Sequence, residues 1–493
     1  MNFKNIIGVF LAYFSIFLLI ILLRFGINQA FFSQDEQYTF YLVSLSFKDI
    51  IYITATDVHP PLYYCLLKLF LMVFPFDVIL AKLFSVIPLI LLICFSFMKI
   101  RKDSDWLTTG IFIFSLVTMS KILYYSLQVR MYSWAMFFVF LSFYYFYKII
   151  KKSTKKNWII FTIFSLLSAY THYYGAIAIC FLFLFLLVHV VFKNRKFFKN
   201  WVLSSIVTLL IYCPWIYFFS MSKYLTSSEW GVPSFENVLD VVGFIFSPIT
   251  DVFNHRNLDI YGIGLFIVIM VLFLFLSYQD VKKRMKGNCP NFLDSPINDM
   301  IVIYGFGCFI GVLFFGLIFS FLVKPMFDAR YLFVVLVCFW LSFSILLSKS
   351  YKYKMIFVPI FIIVLFSGVV NSVYFVDCKN YEEMTDLQFK NAIGNLTRND
   401  TVVYLGPSFM VDKFKFSFHL ENDFILYSND TSISSVKENV QVYVFDCGDL
   451  KNTNLIIDDF NRSMIENGFK LNKLGSINRC YPAYPRCVYE LID

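Results

Sequence analysis

Charge is what this chain has least of. Only 15% of its 493 residues are Asp, Glu, Lys or Arg, against 59% hydrophobic and 21% aromatic, a balance that excludes an ordinary water-soluble domain. Paired C-x-x-C spacing is missing as well, so the eleven cysteines give no metal-ligand pattern. Cys65, Cys94, Cys180, Cys213, Cys308 and Cys338 lie in apolar runs and read as small buried hydrophobes. Cys378, Cys447, Cys480 and Cys487 fall in a polar tail, where an oxidising compartment would let them pair, Cys480 and Cys487 being nearest in sequence. The first apolar run, Ile6 to Leu23, lacks a small-x-small exit and reads as a retained helix, not a cleaved signal. No internal repeat and no phosphate loop stands out.

What is present is a series of apolar runs from Ile6 to about Val376, each near the roughly 20 residues a membrane helix needs. The chain therefore reads as a polytopic α-helical membrane protein. Its formal net charge of +9 is scattered over short basic clusters between the runs, so it reports topology, and no nucleic-acid partner is expected. The clusters are Lys99 to Lys102, Lys148 to Lys156, Lys193 to Lys196, Lys282 to Lys286, and Lys349 to Lys354. Placing them in the cytoplasm gives about eleven spans, near 6–23, 78–98, 106–123, 132–150, 158–171, 174–192, 202–219, 260–278, 299–322, 331–348 and 355–375. The segment 61–74 is too short for a span and reads as a juxtamembrane helix after a first external loop, 29–61. The N-terminus is then cytoplasmic, in a multi-pass protein of the cell membrane.

From Asp377 the character changes. Strand-like pieces at Thr401 to Leu405, Phe424 to Tyr427, Gln441 to Phe445 and Cys487 to Ile492 alternate with helix-like ones at Thr385 to Leu396, Ser408 to Leu420 and Leu455 to Asn467. Residues 377–493 thus read as a small extracytoplasmic α/β domain behind a membrane domain of residues 1–376.

The chemistry-bearing residues collect at the tips on one side. Asp35-Glu36 follows the first span, and two carboxylates at a membrane boundary are costly to desolvate. Next come His59-Pro60-Pro61-Leu62-Tyr63-Tyr64, then Arg130-Met131-Tyr132, then Tyr170-Thr171-His172-Tyr173-Tyr174, then Cys213-Pro214-Trp215, and last Lys324-Pro325-Met326-Phe327-Asp328-Ala329-Arg330-Tyr331. Each has a bland reading: a loop seating a helix, an arginine snorkelling to headgroups, an aromatic belt, a kinked anchor, a weak exposed ion pair. Their gathering on one face is harder to explain that way. A transporter would instead hold its polar residues within broken spans.

In this order, the motifs resemble the membrane glycosyltransferases of the GT-C superfold, in particular the family 39-like group of protein O-mannosyltransferases and aminoarabinose transferases. The resemblance covers roughly Ile6 to Leu347. It implies an inverting transfer of a sugar from a polyprenyl- or dolichyl-phosphate donor to the hydroxyl of a glycan, lipid or protein acceptor, on the extracytoplasmic face. It maps the catalytic carboxylate onto Asp35, with Glu36 beside it. His59, Arg130, Tyr132, His172, Lys324, Arg330 and Tyr331 become the candidate ligands of the donor phosphate. Related chains often carry Glu-x-Arg where this one has Gln128-Val129-Arg130, so a metal or acceptor role for that Glu does not transfer; no cofactor is assigned, and a divalent cation is left open. A polysaccharide polymerase or ligase and a lipid-linked sugar flippase are the alternatives.

Overall fold

In the computed structural model the residues described are 2–27, 33–57, 59–74, 77–220, 235–248, 259–283, 297–323, 325 and 327–405, and in the tail 411, 414–415, 418, 420–426, 442–447, 460, 462, 465, 470–477, 485 and 487–492. They form two compact units, one of residues 1–27 and 47–376, the other of 28–46 and 377–493. Sequence contiguity had assigned residues 28–46 to the membrane domain. They group instead with the tail, and the helix they contain, Gln34–Ser44, buries the polar residues Glu36, Gln37 and Thr39.

The first unit is a helical bundle, and the eleven expected intervals fall on helical segments, 106–123 on two helices that meet at a 60° bend. Among the described residues eight helices are long and apolar enough to cross a membrane, or nine if the bent pair within Trp106–Leu127 is one span. Helix Leu62–Val73 has twelve residues and rises only about 18 Å, short of a bilayer core near 30 Å. The interior is built on Tyr132–Lys151 and Phe333–Ser350, the latter buried at every position but Lys349.

Close backbone approach fixes one seam. A Cβ on Gly8 would overlap the carbonyl of Trp106, and one on Gly110 would overlap the carbonyl of Gly8. Helix Phe3–Ile27 can lie against Trp106–Thr118 only because both positions lack a side chain. Gly8→Ala is therefore expected to cost about 1–3 kcal/mol, read as a lower melting temperature of the detergent-solubilised protein. Gly264→Ala, with nothing within 4 Å of its Cβ, is the neutral control.

Polar ends of the helices cluster at one end of this bundle. Asp105 caps Trp106–Thr118 by accepting the Thr108 N–H, takes Lys4 Nζ at 2.8 Å and accepts Ser348 Oγ at 3.0 Å. Asp103 accepts Tyr144 Oη at 2.8 Å and Lys151 Nζ at 3.1 Å. Three of the basic clusters thus share an end, as the expected parity of the spans requires.

The second unit holds a five-stranded mixed sheet, β1 Thr401–Leu405, β2 Asp423–Leu426, β3 Val442–Asp446, β4 Lys470–Ser476 and β5 Cys487–Ile492, in the order β2-β1-β3-β5-β4. The first three are parallel, while β5 runs antiparallel to both β3 and β4. Alternating residues of β1 and β3 face two cores, Val402, Tyr404 and Phe445 with Phe389 and Phe414 on one side, Val403, Leu405 and Val444 with Phe460 on the other. The last apolar helix does not end near residue 375 but runs unbroken from Lys354 to Ala392, absorbing the separate helix expected from Thr385. Cys378 and Cys447 are buried and Cys487 half-buried, and Cys480 lies outside the described residues.

Candidate active site

Opposite the Asp103–Asp105 end, three tips of the first unit converge. The first is the turn before helix Leu62–Val73, where Pro61 stands at the N-cap and His59 just ahead of it. The second is a one-residue joint: helix Lys155–Thr171 ends, His172 is extended, and helix Tyr173–Lys193 begins, with His172 Nδ1 accepting the Tyr174 N–H at 3.1 Å. The third is the 3₁₀ turn Ala329–Leu332, capped by Asp328, whose carboxylate accepts the Arg330 N–H at 2.8 Å. Their rings meet: His59 to His172 at 4.9 Å between centroids, His172 to Tyr331 at 5.6 Å, His59 to Tyr331 at 6.0 Å and Tyr132 to His172 at 6.0 Å.

Arg130 joins them from a tight turn, with its own N–H bonded to the Gln128 carbonyl at 2.7 Å. It is 3% exposed and donates from Nη1 to Tyr64 Oη at 3.2 Å, so it is not snorkelling to lipid. The helix after it is held by a proline device. Pro88 lies inside helix Val78–Phe95 and has no N–H to give the carbonyl one turn back, that of Phe84. Trp134 Nε1 donates to that carbonyl at 3.1 Å, and Ser133 Oγ donates to the next one, of Ser85. Tyr63 Oη adds a bond to Ser85 Oγ at 2.8 Å, tying Arg130-Met131-Tyr132 and His59-Pro60-Pro61 to one helix.

The electrostatics are those of an anion-seeking end. Burial, and after it the Arg130 guanidinium, pulls His172 down to about 3, with Arg330 adding to this. Burial and then Arg130, His172 and Arg330 hold His59 well below its ordinary value. Both rings are therefore neutral. Because Nδ1 of His172 accepts, its proton sits on Nε2, and neither that atom nor His59 Nδ1 has a hydrogen-bond partner among the described residues. Arg330 is partly offset by Asp328, 2.9 Å from its Nε. Two neutral imidazoles flanked by guanidinium groups do not suit a dication, and among the described residues no group of three or more His, Cys, Asp or Glu comes together.

Groups buried neutral must charge in acid, so stability supplied by these histidines is present above the unfolded value near 6.5 and is lost as pH falls below it. The melting temperature of the solubilised protein is expected to drop between about pH 6.5 and 4.5. His172→Asn, which keeps an N-cap acceptor, should flatten that slope.

Behind the rings opens a cavity of about 290 Å³, walled by Tyr174, Ile177, Tyr212, Trp215, Phe315 and Phe319, with His59, His172 and Tyr331 at its edge. Its lining is almost wholly apolar or aromatic. Trp215 Nε1 reaches Tyr173 Oη at 3.3 Å, so the Cys213-Pro214-Trp215 motif serves as a wall. Tyr64, Trp215 and Phe315 were not among the residues expected from sequence. Tyr64 had a signal in the Leu62-Tyr63-Tyr64 motif, whereas Phe315 had none within its uniform apolar run.

The carboxylate pair belongs to the second unit. Asp35 and Glu36 stand in the first turn of helix Gln34–Ser44, Asp35 half-buried and Glu36 4% exposed. Glu36 Oε2 accepts the Ser33 N–H at 2.8 Å and Ser33 Oγ at 3.0 Å. Lys324 lies outside the described residues.

No protein-family model and no curated protein matches the chain. Among solved structures it is similar to ArnT from Cupriavidus metallidurans in the apo state, with a TM-score of 0.53 at 11% identity over 98% of this chain and 97% of that one. The same protein bound to undecaprenyl phosphate gives a TM-score of 0.52 at 11% identity, with the same coverage. An Archaeoglobus fulgidus oligosaccharyltransferase, in complex with zinc and sulfate, stands further off at 0.39, 12% identity, and 87% and 68% coverage. The match to ArnT spans both chains almost end to end, and this chain is a polytopic membrane protein with the GT-C fold.

Proposed function

We propose that the chain is an inverting glycosyltransferase that moves a hexosyl or pentosyl unit from a polyprenyl- or dolichyl-phosphate carrier to an acceptor hydroxyl on the extracytoplasmic face of the cell membrane. The observation that carries this reading is the join of an anion-seeking cluster to an apolar cavity: His59, His172 and Tyr331 line it beside aromatic and aliphatic walls, and the Arg130 guanidinium acts on both histidines. A prenyl phosphate has that same polarity, a charged head on an apolar chain. ArnT binds undecaprenyl phosphate in one of its crystal structures, and the shared fold makes the same class of lipid the natural occupant here.

The chemistry follows from the donor. Prenyl phosphate is already a good leaving group, so the site needs cations for the developing charge more than a strong acid. The acceptor oxygen attacks the anomeric carbon as the bond from that carbon to the phosphate oxygen breaks. Asp35 takes the acceptor's proton. Arg130, with Lys324 and Arg330, neutralises the departing phosphate, and His172 Nε2–H donates a hydrogen bond to it. Glu36 and Tyr132 position their neighbours.

The test is transfer itself. Purified protein in liposomes is given a panel of radiolabelled prenyl-phosphate sugars with extracytoplasmic glycans, lipids and proteins of the host envelope. Label moving from one donor to an acceptor, with inverted configuration, is the expected result. Label that only crosses the bilayer would mark a flippase, and growth of a polymer on the lipid would mark a polymerase.

A further inference from the structure

Three glycines of helix Ile297–Leu322 face helix Tyr173–Lys193. A Cβ on Gly307 would stand 3.3 Å from the Phe185 ring, one on Gly311 2.7 Å from the Phe181 ring, and one on Gly316 2.8 Å from Tyr174 Oη. Each glycine thus seats an aromatic ring where a side chain would crowd it. Of the three rings, that of Tyr174 borders the cavity of about 290 Å³, as does Gly316 itself. The same ring also touches the anion-seeking cluster, 5.1 Å from Tyr331 and 6.0 Å from His172 between centroids. Tyr174 is therefore the joint at which the head and the apolar part of the site meet, and Gly316 decides where that joint stands. Behind it is Phe327, 3.0 Å from the same Cβ and 8% exposed, with its N–H bonded to Ser320 Oγ at 2.8 Å. Phe327 is packed and tied, so a side chain at 316 drives Tyr174 toward the open side, into the cavity.

The cavity is short for a prenyl chain. An apolar cavity of about 150 Å³ binds one benzene, so about 290 Å³ takes about two groups of that size, or two five-carbon isoprene units. Beyond them the bilayer is as apolar as the protein, and moving chain from one to the other gains little. We propose that Gly316 is a specificity-determining position: it keeps Tyr174 out of the cavity and so leaves room for the two phosphate-proximal isoprene units, the part of the carrier that the site reads. The proposal deepens the functional reading and rests on the donor's lipid occupying this cavity.

Two measurements test it, both in liposomes with donor expressed as mole fraction in the bilayer. Wild-type protein is given sugar phosphates carrying one, two, seven or eleven isoprene units. From one unit to two, kcat/KM is expected to rise about tenfold or more; beyond two it should stay within about twofold. A continued rise to eleven units, or no rise at all, would overturn the proposal. Folded Gly316→Ala is then compared on a two-unit prenyl donor and on an unbranched decyl donor, which is slimmer for want of methyl branches. One carbon too many in an apolar pocket costs about 10- to 200-fold, so kcat/KM should fall at least about tenfold for the prenyl donor and about threefold or less for the decyl one. Adding Tyr174→Phe, which removes the hydroxyl in the way, should shrink the effect of Gly316→Ala. Equal losses on both donors would overturn the proposal and leave the glycine a packing element. The length series needs no variant, so it decides the matter even if Gly316→Ala fails to fold. If wild-type protein moves label from none of the prenyl donors, the functional reading itself has failed. If it moves label without regard to the first two units, that reading stands and the role of the cavity alone has failed.

Discussion

Asp35→Asn is expected to abolish sugar transfer while leaving folding and donor binding intact. Asparagine matches the carboxylate in shape but cannot accept a proton, and a positioned general base contributes about 100- to 10,000-fold. The loss should appear in kcat, with the donor KM little changed, because the proposed mechanism has the donor's phosphate met by other residues. Glu36→Ala makes the contrast. Glu36 is occupied with Ser33, closing the helix N-terminus, so its removal should cost about 1 kcal/mol of stability and a smaller share of turnover. Asp35→Glu should retain partial activity, since the base survives but is displaced by a methylene. Turnover of Asp35→Asn within a few-fold of wild type would remove Asp35 from the mechanism.

How far the sequence announces all this differs by element. The spans are legible because apolar runs of bilayer length have few other uses, and β1, β3 and β5 because they are strongly apolar β-formers. Strand β4, Lys470–Ser476, escapes notice: Lys-Leu-Asn-Lys-Leu-Gly-Ser is what a protected edge looks like, with lysines and an irregularity between Lys473 and Gly475. The helix from Lys354 overruns its expected end because loss of hydropathy marks the end of a membrane span, not of a helix. Ser33-Gln34-Asp35-Glu36 is an S-x-x-E capping box in plain view, and it assigns Glu36 its task before any fold is known. The meeting of His59, Arg130, His172 and Tyr331 is only half legible. Parity puts them on one face, but their contacts depend on the Phe84 carbonyl freed by Pro88 and the Ser85 carbonyl beside it, taken up by Trp134 and Ser133 some fifty residues on, which no local pattern encodes. The grouping of residues 28–46 with the tail is likewise visible only in the fold.

Arg130 carries the second large effect. A buried guanidinium fixed by Tyr64 and set among two neutral imidazoles offers a planar, permanently charged fork for a phosphate. Arg130→Gln is expected to lower kcat/KM by about 100-fold or more, the order expected when a preorganised group facing transition-state charge is lost. Arg130→Lys should recover little, because a lysine retains the charge but lacks the second, coplanar donor. Arg330→Gln should cost less, since Asp328 already offsets that charge and its side chain is 27% exposed. Tyr64→Phe should fall between, loosening the fork while leaving its charge. The same substitution carries an independent readout: with Arg130 gone, one of the groups that keep His59 and His172 neutral is gone too, so both rings should titrate closer to their ordinary range and the acid-induced loss of melting temperature should begin at the same pH but end sooner. Wild-type donor KM and turnover in Arg130→Gln would return Arg130 to a structural part, and the phosphate would then have to be held by Lys324 and Arg330.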